Sequence, residues 1–233
     1  MGRDLGGEDN LYAGRPERYG ALLLLVLAAY AIEGIASPQA WAQVLLSVLL
    51  GAAVMVALWA AEAPHRAMGP LAVLVLVLVA VTVIETARGS VDDAATRVAN
   101  GILVALAPPA IVVGVVRGLR ARRAVTLQAV LGVVCLYILL GMFFAAVYGS
   151  IEKIAGEPFF AGGATATIPR SIYFSFTTLT TVGYGDYTAQ SNLGHTLSTS
   201  EALLGQIYLV TVVSLLVANL RPRRRRADDD DPG

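Results

Sequence analysis

Thr178-Leu179-Thr180-Thr181-Val182-Gly183-Tyr184-Gly185-Asp186 is the stretch that decides how the rest of the chain is read. A loop that lines an ion path with backbone carbonyls must turn successive C=O groups toward one axis. That demands unusual φ/ψ values, which glycine supplies when it alternates with other residues. Here Gly183 and Gly185 alternate with Val182 and Tyr184. Thr181 can add a hydroxyl at the inner end. Val182 and Tyr184 can point away from the axis, and Asp186 can take hydrogen bonds that hold the loop. The plainer alternative is a glycine-containing turn beside a helix.

Composition supports a membrane setting. The chain has 233 residues, of which 56% are apolar and 15% charged. Its mean hydropathy is +0.67, too apolar for an ordinary soluble domain. The formal net charge of zero conceals clustering, because the charges sit between long apolar runs. Cys135 is the single cysteine, so no intrachain disulfide forms, and its apolar neighbours mark it as an inert buried thiol. The first twenty residues lack the pattern of a cleaved signal peptide.

The apolar runs predict an all-α membrane protein with six transmembrane helices, at 20–36, 40–61, 70–87, 98–116, 124–148 and 192–220. A span needs about 20 residues. The first therefore suffices only with Glu33 near the far membrane surface. Ser37-Pro38 predicts a tight turn. Trp41 and Trp59 suit the two interfaces of the second span. Pro108-Pro109 should kink or break the fourth span through lost donors and steric clash. His65 reads as a solvated loop residue, and Asp92 and Asp93 as part of a charged link. Residues 170–181 read as a re-entrant pore helix, too short to cross, followed by the filter loop.

Sixteen of the seventeen basic residues are Arg, with Lys153 the exception. Six spans would put Arg3, Arg15, Arg18, Arg66, Arg117, Arg120, Arg122, Arg123, Arg221, Arg223, Arg224, Arg225 and Arg226 on one side. Arg88, Arg97, Lys153 and Arg170 would face the other. The positive-inside tendency then makes both termini cytoplasmic, in a cell inner membrane, with the filter entered from outside. One filter loop cannot surround an ion, and the chain carries one copy, so four chains are required: a homotetramer.

The hexapeptide from Thr181 to Asp186 resembles the signature of the potassium channel family. The run Ser171-Ile-Tyr-Phe-Ser-Phe-Thr-Thr-Leu-Thr-Thr181 is similar to that family's pore helix, with Tyr173 and Phe174 where bulky aromatics often pack around the filter. The resemblance implies a potassium-selective, passive pore binding potassium at Thr181, Val182, Gly183 and Tyr184, with no other cofactor. It also implies five parts: a tail (1–19), a voltage-sensor-like unit (20–116), a basic linker (117–123), a pore domain (124–220) and a charged tail (221–233). Gly205 lies where such channels often carry a hinge glycine; close helix contact is the equal alternative. Hydroxyls of Ser175, Thr177, Thr178 and Thr180 either support the filter or cap locally. Glu201 should pair or line a wet crevice behind the filter. Tyr208, Val212, Leu215 and Leu216 are inner-cavity candidates, and Val212, Leu216 and Leu220 a dewetting gate.

Arg117, Arg120 and Arg123 have the three-residue spacing of a voltage sensor, yet 98–116 holds no Arg or Lys. Charges outside the field contribute little, so the expectation is a charge-poor sensor-like unit without strong voltage gating. The arginines at 117–123 and 221–226 instead suit anionic lipid. Asp228 to Asp231 could mask the second cluster, and that tail reads as disordered, with no regulatory domain after it. The alternatives are a weakly selective cation channel and a non-conducting scaffold or regulatory subunit. No HExxH, GxSxG or metal-ligand spacing occurs, and His65 and His195 lie far apart in sequence, so the chain does not read as an enzyme. His195 should sit at the outer face.

Overall fold

The computed structural model describes residues 17–35, 39–61, 64–89, 94–122 and 127–218. They form seven α-helices: α1 (Glu17–Ile35), α2 (Ala40–Ala60), α3 (His65–Ala87), α4 (Ala94–Arg122), α5 (Leu127–Ala155), α6 (Ile168–Leu179) and α7 (Asn192–Ala218). Val-rich α3 is helical despite its β-branched content. Backbone polar groups in an apolar setting must be satisfied within the segment, and a helix does that.

The helices α1, α2, α4 and α5 pack on one another, with α3 laid against α2 and α4. Leu22, Leu46, Leu50, Leu103, Ile111, Leu139 and Met142 are buried at the centre. Lipid tails are as apolar as leucine, so close fit rather than water exclusion holds such helices together. Glycine permits that fit: a Cβ on Gly51 would come within 2.9 Å of Val75 Cγ1, and one on Gly114 within 3.1 Å of Ala61 Cα. Polar contacts add to it. Ser47 donates to Asn100 Oδ1 at 2.7 Å, joining α2 to α4. Cys135 is buried, as its neighbours suggested.

The expectation of six transmembrane helices with a re-entrant pore helix and filter loop is corrected. Among the described residues four helical segments are long and apolar enough to cross a membrane: Ala40–Ala60, Met68–Ala87, Ala94–Val116 and Ala129–Ala155. The apolar part of α1, Tyr19–Ile35, is too short. In α7 the first half is polar, carrying Asn192, His195, Thr196, Ser198, Thr199, Ser200 and Glu201. After α6 comes an exposed irregular segment, which one chain does not close into an ion-lining ring. The protein is nonetheless multi-pass. Exposed Val73, Leu76, Val77 and Ile84 give α3 a face for lipid.

Local expectations also change. Helix α4 runs unbroken through Pro108 and Pro109. Ala107, Ala110 and Ile111 beside them are buried, so packing holds the helix where propensity would end it. Glu33 is buried against protein. His65 begins α3 rather than a loop. Helix α4 extends through Arg117, Arg120 and Arg122, so these occupy its last turns. The Ser37-Pro38 turn, Asp92, Asp93, Arg3, Arg15, Arg123, Leu220, the 221–226 arginines and Asp228 to Asp231 lie outside the described residues.

Candidate functional site

The residues read as a filter follow directly from α6. Thr167 enters the helix in an extended conformation and Pro169 sits in its first turn, where a missing amide costs nothing. Ser171, Ile172, Ser175 and Leu179 form its buried face. The far end closes by backbone bonds: Thr180 N–H donates to Phe176 O at 3.1 Å, and Thr181 N–H to Thr178 O at 2.9 Å. Gly183 N–H then reaches back to Thr177 O at 3.0 Å.

Beyond that point every second residue is left-handed. Thr181, Gly183 and Gly185 have φ of 58°, 50° and 80°, while Val182 and Tyr184 do not share the positive sign. Glycine accepts this freely, but a β-branched threonine pays about 1–2 kcal/mol. A contact absent from the sequence reading offsets it: Gln206 Nε2 on α7 donates to Thr181 Oγ1 at 2.9 Å. A polar side chain within an apolar helix was the available signal. Residues 180–186 are all exposed in the single chain.

The supporting residues divide. Tyr173 stacks on Tyr184, with centroids 6.2 Å apart and planes 7° off parallel, and meets Tyr187 edge-on. Desolvation, and then the neighbouring Asp186, raise the Tyr173 phenol above its ordinary value. Asp186 also accepts from the Tyr187 N–H at 3.1 Å. Phe174 does not face the loop but sits in an aromatic cluster with Tyr148, Phe159 and Phe160. The hydroxyl of Thr180 bonds back to Phe176 O at 2.6 Å, and that of Thr177 to Phe174 O at 3.0 Å, which is local capping.

Glu201 is fully buried and tied to two helices. Tyr148 on α5 donates to its Oε2 at 2.6 Å. Ser175 Oγ on α6 lies 2.5 Å from its Oε1 and 2.7 Å from the Gly141 carbonyl. The carboxyl thus joins α5, α6 and α7. One turn on, Gly205 lets α7 pass the end of α6. A Cβ there would run into the Leu179 carbonyl oxygen and lie 3.0 Å from Leu179 Cδ1. This favours the close-contact reading of Gly205. Tyr208 is not directed at a cavity: its hydroxyl donates to Val133 O and its ring lies 5.5 Å from Tyr137. The backbone at Leu215 and Leu216 is helical.

The α5–α6 connector is built more firmly than its polar composition suggested. Glu152 Oε2 accepts from Phe159 N–H at 3.0 Å and Ala166 N–H at 2.6 Å. Arg97 on α4 donates to Ala166 O at 2.8 Å, so the peptides on both sides of Ala166 are held. The sequence reading left Arg97 in a surface link. Beyond the loop, Ala161 N–H donates to Thr188 O and Gln190 N–H to Phe159 O, both at 2.9 Å, clipping connector to exit. His195 Nε2 lies 2.7 Å from Ala189 O, bracing that exit. Among the described residues no group of three or more His, Cys, Asp and Glu gathers as a metal site.

Comparison with known proteins gives one family match. Residues 132–221, fewer than half of the chain, fit the model of a family described as ion channel. No curated protein and no solved structure matches. The resemblance to a six-span potassium channel with a voltage-sensor-like unit is therefore corrected. The match is to ion channels in general, does not reach residues 20–116, and accompanies four helices long and apolar enough to cross a membrane among the described residues. The chain is a multi-pass membrane protein of channel-like function, and the family it matches is not enzymatic.

Proposed function

We propose that four copies of this chain form a potassium-selective pore that conducts passively, with the backbone of Thr181, Val182, Gly183, Tyr184 and Gly185 lining the ion path. The observation that carries the reading is the alternation of positive φ at Thr181, Gly183 and Gly185. Alternating backbone handedness swings successive carbonyls to one side, as replacement of an ion's hydration shell requires. Potassium would be held by oxygens of Thr181, Val182, Gly183 and Tyr184, entering as cargo. Four loops around one axis would also cover backbone that the single chain leaves exposed.

In this reading Tyr173, Asp186 and Gln206 brace the loop from outside the path. Glu201 and Phe174 fix α6, and Gly205 sets the approach of α7. Gly205 as a hinge would require α7 to bend there, against the Leu179 backbone. An even number of crossings puts both ends of the sequence on one side, and the 221–226 arginines suit a cytoplasmic face. Those arginines, with Arg117, Arg120, Arg122 and Arg123, are suited to anionic headgroups.

The test is ion flux through purified protein in liposomes, with reversal potentials in opposed potassium and sodium gradients. Potassium preference that Gly183→Ala weakens supports the proposal. Flux without preference would make it a weakly selective cation channel. No flux from a folded, inserted protein would favour a scaffold or regulatory subunit.

A further inference from the structure

A narrow cavity of about 20 Å³, taken as the space open to the centre of a water, lies where the N-terminal helices meet α6. Helix α1 contributes Glu33, α2 Gln43, α4 Arg97 and Asn100, and α6 Ile168 and Ser171. Two of its lining residues carry orphan atoms: Glu33 Oε2 and Ser171 Oγ are shielded from solvent and have no hydrogen-bond partner. The residues themselves are 9% and 1% exposed. Buried polar atoms are rarely left unpaired, because each one costs free energy that a partner recovers.

Size and chemistry identify the partner. A water needs about 10–15 Å³ by this measure and two to four polar neighbours, so the space suits one molecule. The Arg97 guanidinium in the wall disfavours a metal cation. We infer that the cavity holds one ordered water, accepting from the Ser171 hydroxyl and donating to Glu33 Oε2, which joins α1 to α6.

The link is placed to matter. Ser171 lies in the first turn of α6, whose last turn leads into the exposed loop. The Arg97 bond to Ala166 O holds the residues just before the same helix. Toward its other end, Tyr30 on α1 meets Phe176 edge-on at 5.1 Å. Helices α1 and α4 thus hold α6 at three points, and the water is the one at its N-terminal turn. In this arrangement the N-terminal helices position the loop without any charge moving through the membrane field.

A structure of the purified protein at a resolution that shows waters tests this directly. Density within hydrogen-bond distance of both Glu33 Oε2 and Ser171 Oγ is expected; a cavity without density overturns the inference. Thermal unfolding in detergent gives a second reading. Glu33→Leu and Ser171→Ala should each lower the midpoint, and the double variant should fall no further than the worse single one. Losses that add would mean no shared water. Neither readout uses conduction, so this inference and the proposed pore stand or fall separately.

Discussion

Replacing Glu201 by glutamine and by alanine separates two ways in which a buried carboxyl can hold α5, α6 and α7 together. Tyr148 gives its proton to Oε2, while Ser175 stands between Oε1 and the Gly141 carbonyl. Ser175 has one proton for two acceptors. A glutamine in this place accepts from Tyr148 through its carbonyl and donates to Ser175 through its amide. Ser175 then gives its own proton to Gly141. Tyr148, Ser175 and Gly141 all stay paired, with one amide proton left over, so Glu201→Gln should cost about 1 kcal/mol. Glu201→Ala strands the Tyr148 hydroxyl, at about 1–3 kcal/mol. It also leaves a void behind α6, so the total becomes about 2–4 kcal/mol per chain. Adding Tyr148→Phe to Glu201→Ala removes the stranded hydroxyl and should recover part of the loss. The assay is the unfolding midpoint in detergent, alongside ion flux in liposomes. If Glu201→Gln falls as far as Glu201→Ala, negative charge rather than hydrogen-bond pattern holds the site, and the reasoning is refuted.

Gly205→Ala should cost about 1–3 kcal/mol, because its Cβ meets the Leu179 backbone, and slow flux by displacing the end of α6; unchanged unfolding and flux would mean that α7 has room to move. Gly183→Ala places a side chain at φ 50°, costing about 1–2 kcal/mol, and should shift the reversal potential toward sodium. Arg97→Met deprives the Ala166 carbonyl of its donor and should raise amide hydrogen exchange at Phe159 and Ala166; exchange equal to the parent would show that Glu152 suffices alone.

The parts legible in the sequence were those governed by one-dimensional rules. The apolar runs of α2, α3, α4 and α5 follow from length and hydropathy, and the glycine alternation after Thr181 forecast the alternating φ. What stayed hidden depended on neighbours. Glu33 and Arg97 each sit at the end of an apolar run, where a linear rule assigns a charge to the membrane surface. Both are in fact buried, and both line the cavity beside α6. Pro108 and Pro109 failed as helix breakers for the same reason, since burial of Ala107, Ala110 and Ile111 around them overrides local preference. Gln206 was passed over because its partner, Thr181, is distant in sequence and belongs to the loop itself.

The polar first half of α7 has its own internal answer. Thr196 returns its hydroxyl to Asn192 O, Ser198 and Thr199 to His195 O, and Ser200 to Thr196 O. These side chains therefore make little demand on their surroundings. One turn further along, the helix becomes apolar. Leu203, Ile207 and Val210 are exposed and share a face with Gln206 by their three- and four-residue spacing. Gln206 touches Thr181, so this apolar face adjoins the loop whose backbone is also uncovered. An apolar stripe could rest in lipid, but unpaired peptide groups could not. Because the two are contiguous, a surface that satisfies the loop would cover the stripe as well. Further copies of the same chain would meet both needs at once, so the backbone of the loop supports the proposed tetramer independently of the motif.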